Sequence, residues 1–247
     1  MPPKVEASMY ALSCLVAHDL YGNVELYTDS EGAKLLLDKL QLPYQSVSIS
    51  LDAFIANAHL PVFCKYQTVL LQESPFIHID SDVFLNCRLP EELMEERAIC
   101  GTSQLKNNAA ARVAETLETY LDYVPRYYYR TDSLRWASCD IFGGSDFMML
   151  RDFAASIIST ATSLDNRYAW PRIEKVFGAR MNQFSMVFDN MMFPAYAAHV
   201  GADYAELPSG VAKHLSTGKY SGEGYKWTKE RLQTLYPVHA RLIDELD

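Results

Sequence analysis

The segment Phe76-Ile77-His78-Ile79-Asp80-Ser81-Asp82-Val83-Phe84-Leu85 sets two carboxylates two residues apart between apolar runs. A strand continuing through it would place Asp80 and Asp82 on one face. Bare carboxylates beside a buried strand repel each other and lose hydration. A divalent cation resolves both costs. Magnesium or manganese takes oxygen ligands and commonly bridges a protein carboxylate to substrate phosphates. The competing reading is a pair of turn or helix-capping aspartates. Downstream, Lys213-His214-Leu215-Ser216-Thr217-Gly218-Lys219 holds a histidine able to ligate a metal as neutral imidazole, a glycine that permits close backbone approach, and a lysine that offers phosphate a point charge. A surface histidine is the simpler account of His214 alone.

These residues need a frame. The periodicity predicts a helix over 9–20, a strand over 24–28 and a capped loop at Asp29-Ser30-Glu31-Gly32. A helix over 33–40, ended by Pro43, and a strand over 45–50 with Val47 and Ile49 alternating against polar neighbours follow. A helix over 62–73 then leads to a buried strand over 75–80. Alternation of strand and helix is the pattern of a parallel sheet with crossover helices, and ligands of such sheets bind beyond the carboxyl ends of the strands. Asp80 and Asp82 fall at such an end. Further on, helices are expected over 109–121, 146–159, 172–192 (with breaks) and 228–246 (interrupted at Pro237). A strand is expected over 134–142, with a sharp turn at Gly143-Gly144.

Composition narrows the class. The 247 residues carry 22 Lys and Arg against 31 Asp and Glu, a net charge of −9, so a general phosphate-hugging surface for nucleic acid is not expected. Cys14, Cys64, Cys87, Cys100 and Cys139 form no C-x-x-C pair, and their odd number favours free thiols in a reducing cytoplasm. No apolar run reaches the roughly 18 residues of a spanning helix. With 11 Gly and 11 Pro spread along the chain and no linker or repeat, a single domain over 1–247 is the expectation.

The ordered set Val24-Glu25-Leu26-Tyr27-Thr28-Asp29-Ser30-Glu31-Gly32, Leu42-Pro43-Tyr44, the Asp80–Asp82 segment, Gly143-Gly144-Ser145-Asp146 and the His214 segment resembles an uncharacterised family of bacterial glycosyltransferase-like proteins. These are similar to the GT-A class and, distantly, to family-8 glycosyltransferases. The resemblance spans about residues 9–247. It implies a GT-A-like α/β fold: a mostly parallel central sheet with helices on both faces, its N-terminal strand short or missing here. It implies transfer of a sugar from a nucleotide-sugar, a UDP-sugar by preference, with retention of configuration if the likeness extends to mechanism.

By the same resemblance, Asp82 and His214 would ligate manganese or magnesium, and Asp80 would share the metal or contact the nucleotide ribose. Gly218 and Lys219 would approach the donor diphosphate. Lys65 matches a family lysine in a segment that usually reads Trp-x-x-Gly-Lys and here reads Pro61-Val62-Phe63-Cys64-Lys65; a solvated helix lysine is the alternative. Asp146 would either cap the following helix or reach donor and acceptor hydroxyls. Gln183 is retained from a family Glu-Gln pair and is the other catalytic candidate. The acceptor is open among a glycan, a small molecule, a protein and a modified nucleic-acid base. A missing first strand would expose a sheet edge and favour a homodimer. Two rivals stand beside this reading: a degenerate GT-A protein that binds without catalysis, and another metal-dependent phosphate-transfer enzyme such as a nucleotidyltransferase. The run Arg126-Tyr127-Tyr128-Tyr129-Arg130 could stack on sugars or bases, but a partly buried strand or loop explains the same residues and is the preferred reading.

Overall fold

The structure is a computed structural model that describes residues 3–55, 59–101, 103–104, 108–130, 136–215, 218 and 221–246. The chain is of mixed α/β class, with helix predominating over short strands. It forms two compact units. The first comprises residues 1–53, 79–89 and 209–247; the second comprises 54–78 and 90–208.

In the first unit the helix Pro3–Tyr21 begins earlier than the periodicity alone suggests. Its buried face carries Ala7, Leu12, Cys14 and Leu15. Strand Glu25–Thr28 pairs in parallel with Ser46–Ile49, Leu26 opposite Val47. Parallel neighbours need a crossover, and here it is helical. Asp29 caps the turn Ser30–Ala33 by accepting from the Gly32 amide, and Lys34–Lys39 continues it as a π-helical turn. Val47 and Ile49 do not face a core. They are 39% and 55% exposed, because Ser48 takes the inward position. A two-stranded antiparallel ribbon joins Val83–Leu85 to Ala212–His214. Two terminal helices, Gly222–Leu235 and Pro237–Asp244, break at Pro237 as expected. Leu12, Leu36, Leu40, Phe84, Leu232 and Ile243 close one hydrophobic core.

The second unit is built around helix Pro61–Leu70 packed on Phe147–Thr162. Phe63, Phe142, Phe153, Trp170, Phe188 and Phe193 form its aromatic centre. Phe142 and Phe153 each meet Phe193 edge-on, 4.9 and 5.3 Å between centroids, a favoured aromatic geometry. Its sheet has four strands in the order Phe76–Ile79, Ile141–Gly144, Ile99–Cys100, Ala205–Glu206. The strand Ile99–Cys100 is antiparallel to Ile141–Gly144 and parallel to Ala205–Glu206, so this sheet is mixed rather than mostly parallel.

Three local expectations are corrected. Strand Phe76–Ile79 is half-buried and stops at Ile79, with a turn at Ser81-Asp82, so Asp80 and Asp82 do not lie on one face of a continuing strand. The strand expected over 134–142 is two short pieces, Trp136–Ala137 and Ile141–Gly144, its first residues lying outside the described ones. Gly143 and Gly144 end a strand instead of making a turn. A side chain on Gly143 would collide with the Phe76 carbonyl, and one on Gly144 with that of Arg97, where φ is also +141°. Close backbone approach, not reversal of the chain, requires both glycines.

Candidate functional site

The Asp80–Asp82 segment folds as a tight turn. Asp80 sits at its first position, common for aspartate, and its carbonyl accepts from the Val83 amide at 3.0 Å. The chain then enters the ribbon. His214 stands directly opposite Val83, and the Leu215 amide donates to the Asp82 carbonyl at 3.0 Å. This register brings the two side chains together: His214 Nε2 lies 3.4 Å from Asp82 Oδ2. Asp82 is 4% exposed, while about a third of the His214 side chain is open. Around the neighbouring turn, burial pushes the Tyr10 hydroxyl up to about 12; Glu6, Asp80 and Asp29 add to this and a hydrogen bond with Ser81 opposes it.

The Asp82–His214 spacing exceeds the roughly 2.7–2.9 Å of a charge-assisted N–H···O bond. It is close to the roughly 3 Å that separates adjacent ligands of an octahedral cation with bonds near 2.1 Å. At this spacing Asp82 and His214 could both reach one divalent cation. Among the described residues, no group of three or more His, Cys, Asp or Glu is placed to hold a metal. A cation here would need oxygens from a substrate or water, the usual arrangement for magnesium.

Beyond the ribbon, the Gly218 amide donates to the Leu215 carbonyl at 2.7 Å, and its own carbonyl accepts from Ser221. Ser221 caps helix Gly222–Leu235. A Cβ on Gly218 would meet nothing within 4 Å, so the described packing does not demand glycine there. Lys219 lies outside the described residues.

The other expected site residues belong to the second unit. Lys65 is not a solvated helix lysine. Its ammonium pairs with Asp189 Oδ1 at 2.9 Å and donates to the Cys139 carbonyl, with only 9% of its side chain exposed. Asp146 caps helix Phe147–Thr162 by accepting from the Met149 amide at 3.1 Å. Its other oxygen takes two bonds from Arg97, at 2.7 and 3.1 Å, which with the cap hold the carboxyl below its ordinary range. Gln183 is exposed on the short helix Asn182–Met186.

The structure thus brings Asp82 and His214 together, with Asp80 in the adjoining turn. Asp189 and Arg97 escape sequence reasoning because each lies far along the chain from its partner, with no spacing to betray the pair. Tyr127 and Tyr128 are core residues: Tyr127 bonds Ser156, and Tyr128 donates to the Ala114 carbonyl at 2.6 Å. The side chains of Tyr129 and Arg130 lie outside the described ones.

Among the described residues, no helix is long and apolar enough to cross a membrane. No curated protein and no solved structure matches the chain. Residues 2–238 match a family of unknown function, DUF6734, and the chain belongs to that family.

Proposed function

We propose that this protein is a metal-dependent glycosyltransferase of GT-A-like type that takes a nucleotide-sugar, a UDP-sugar by preference, in the cytoplasm. The observation that carries the reading is the buried Asp82 held beside His214 across the ribbon. Two protein donors leave most of a cation's coordination for phosphate oxygens, as a diphosphate substrate would supply. Bound there, manganese or magnesium would neutralise the diphosphate and stabilise charge on the departing nucleotide. Asp80, in the adjoining turn, would assist at the ribose or the metal. Gly218 and Lys219 would face the diphosphate, an idea in keeping with the open space over Gly218. The acceptor would be a glycan, small molecule, protein or modified base. Exposed Val47 and Ile49, on a strand that among the described residues is paired on one side, favour association with a second copy.

A second reading, binding without catalysis, gains support from the second unit. Lys65 and Asp146 are both committed to ion pairs, and Asp146 also to a helix cap. A group so engaged is a poor general base.

Thermal melting with UDP, with manganese and with both tests the site. Only the folded state should bind, so the midpoint should rise by mass action, mainly when both are present. Asp82→Asn should abolish that rise. A full response in Asp82→Asn would refute the assignment. Release of UDP from a UDP-sugar marks the transferase, pyrophosphate release from a nucleoside triphosphate marks a nucleotidyltransferase, and binding with neither marks the non-catalytic protein.

A further inference from the structure

We propose that a groove in the first unit, bounded by helices Pro3–Tyr21 and Gly222–Leu235 and by strand Val83–Leu85, binds a small zwitterion with an apolar side chain, of the chemical class of a free apolar α-amino acid. The groove has a volume of about 200 Å³. A cavity of about 150 Å³ lined by apolar side chains takes up benzene, so this one has room for a benzyl or isobutyl group. Buried Leu12 and Phe84 form its floor. Val16 is one turn from Leu12, and Leu235 is two turns from Trp227, so each helix turns one apolar face to the groove. Leu235 remains 45% exposed there, apolar area that an occupant would cover.

The rim is dipolar. Asp19 and Arg231 both line the groove. The Tyr236 hydroxyl donates to Asp19 Oδ2 at 2.6 Å. Burial, then Asp19, raises the Tyr236 pKa while Arg231 lowers it, so both charges stand near that hydroxyl. Among the described residues, neither Asp19 nor Arg231 enters an ion pair. An ammonium on Asp19 and a carboxylate on Arg231 would complement the two charges while the side chain fills the apolar space. A ligand with one charge would answer only half of the rim.

This inference is independent of the glycosyltransferase reading. Phe84 pairs with Lys213, whose ammonium lies 3.8 Å from the centroid of the Trp227 ring. Phe84 itself meets Trp227 at 5.2 Å. His214 follows Lys213 in the strand and points to the opposite face of the ribbon. Neither Asp82 nor His214 lines the groove.

The test is titration of the full chain with L-phenylalanine and L-leucine, followed by fluorescence of Trp227 and by melting midpoint, with Trp227→Phe assigning the signal. The expected result is saturable binding of at least one amino acid. Losing a charge-assisted contact weakens binding about tenfold or more, so 3-phenylpropionate and phenethylamine should each bind at least that much more weakly, and L-aspartate, which keeps both charges but has no apolar side chain to fill the groove, should also bind more weakly. Arg231→Gln should weaken binding by a like factor with an unchanged midpoint in the absence of amino acid, since Arg231 is exposed. Val16→Trp should fill the groove and abolish binding. No saturable binding of either amino acid, equal binding of a single-charge analogue, or full affinity in Arg231→Gln would each overturn the proposal. None of these results would alter the response to UDP and manganese at Asp82.

Discussion

Replacing Lys65 by Met tests whether this lysine builds the core or serves a donor. The change removes the 2.9 Å bond to Asp189 and the bond to the Cys139 carbonyl, and leaves the Asp189 carboxylate without its ammonium. Breaking a buried ion pair from one side costs about 3–5 kcal/mol. The Asp189 side chain keeps 21% exposure, and Tyr66 still donates to the same oxygen at 3.4 Å, so the low end applies. We expect a loss of about 3 kcal/mol, which for a chain of this size lowers the midpoint by about 6–12 °C. The double variant Lys65→Met/Asp189→Met should recover most of the loss, because an apolar pair of similar volume often matches a buried ion pair. Urea unfolding followed by circular dichroism gives all four corners of the cycle. A single variant within about 1 kcal/mol of wild type, or a double variant no better than Lys65→Met, would refute the argument. A stable Lys65→Met protein that had lost its response to UDP and manganese would return Lys65 to the donor site.

Asp146→Ala should cost about 1–2 kcal/mol, mostly through the lost helix cap, since Arg97 is well exposed and that pair adds little. The Arg97 bonds, then the cap, depress the folded carboxyl below its ordinary value of 3.8, so the unfolded chain binds the proton first as pH falls. The gap between wild type and Asp146→Ala should be full above about pH 5 and narrow as pH drops through the folded pKa, as urea midpoints across that range would reveal. Gly144→Ala should cost about 3 kcal/mol or more or abolish soluble expression, because its Cβ meets the Arg97 carbonyl at a φ that L-residues avoid. Gly218→Ala should leave stability within about 0.5 kcal/mol of wild type, since its Cβ meets open space. If Gly218 faces the diphosphate, the same change should weaken the joint UDP and manganese response; an unchanged response would remove Gly218 from the site.

Much of the local structure is legible in the sequence because its causes are local. Asp29 and Asp146 are readable as caps, since each accepts from an amide three residues on. Pro237 breaks the last helix for want of an amide hydrogen. The tyrosines of 127–128 are readable as buried bulk. The Asp80-Ser81-Asp82 motif is visible too, but its geometry is not. Strand and turn are nearly degenerate for a short apolar run with two aspartates, and a hydrogen bond from Val83 to Asp80 decides it.

By itself the sequence determined the α/β class, most helices, their caps and breaks, and the residue types from which a metal site could be made. Only the tertiary structure decided which of them meet. Asp82 finds His214 through the register of a ribbon whose strands lie far apart in the chain, and a slip of one residue would turn His214 to the other face. Lys65 finds Asp189 across 124 residues and Arg97 finds Asp146 across 49. The mixed sheet and the crowding of Gly143 and Gly144 are decided the same way. Local preference acts over a few residues, whereas pairing and burial join segments that have no short-range signal in common.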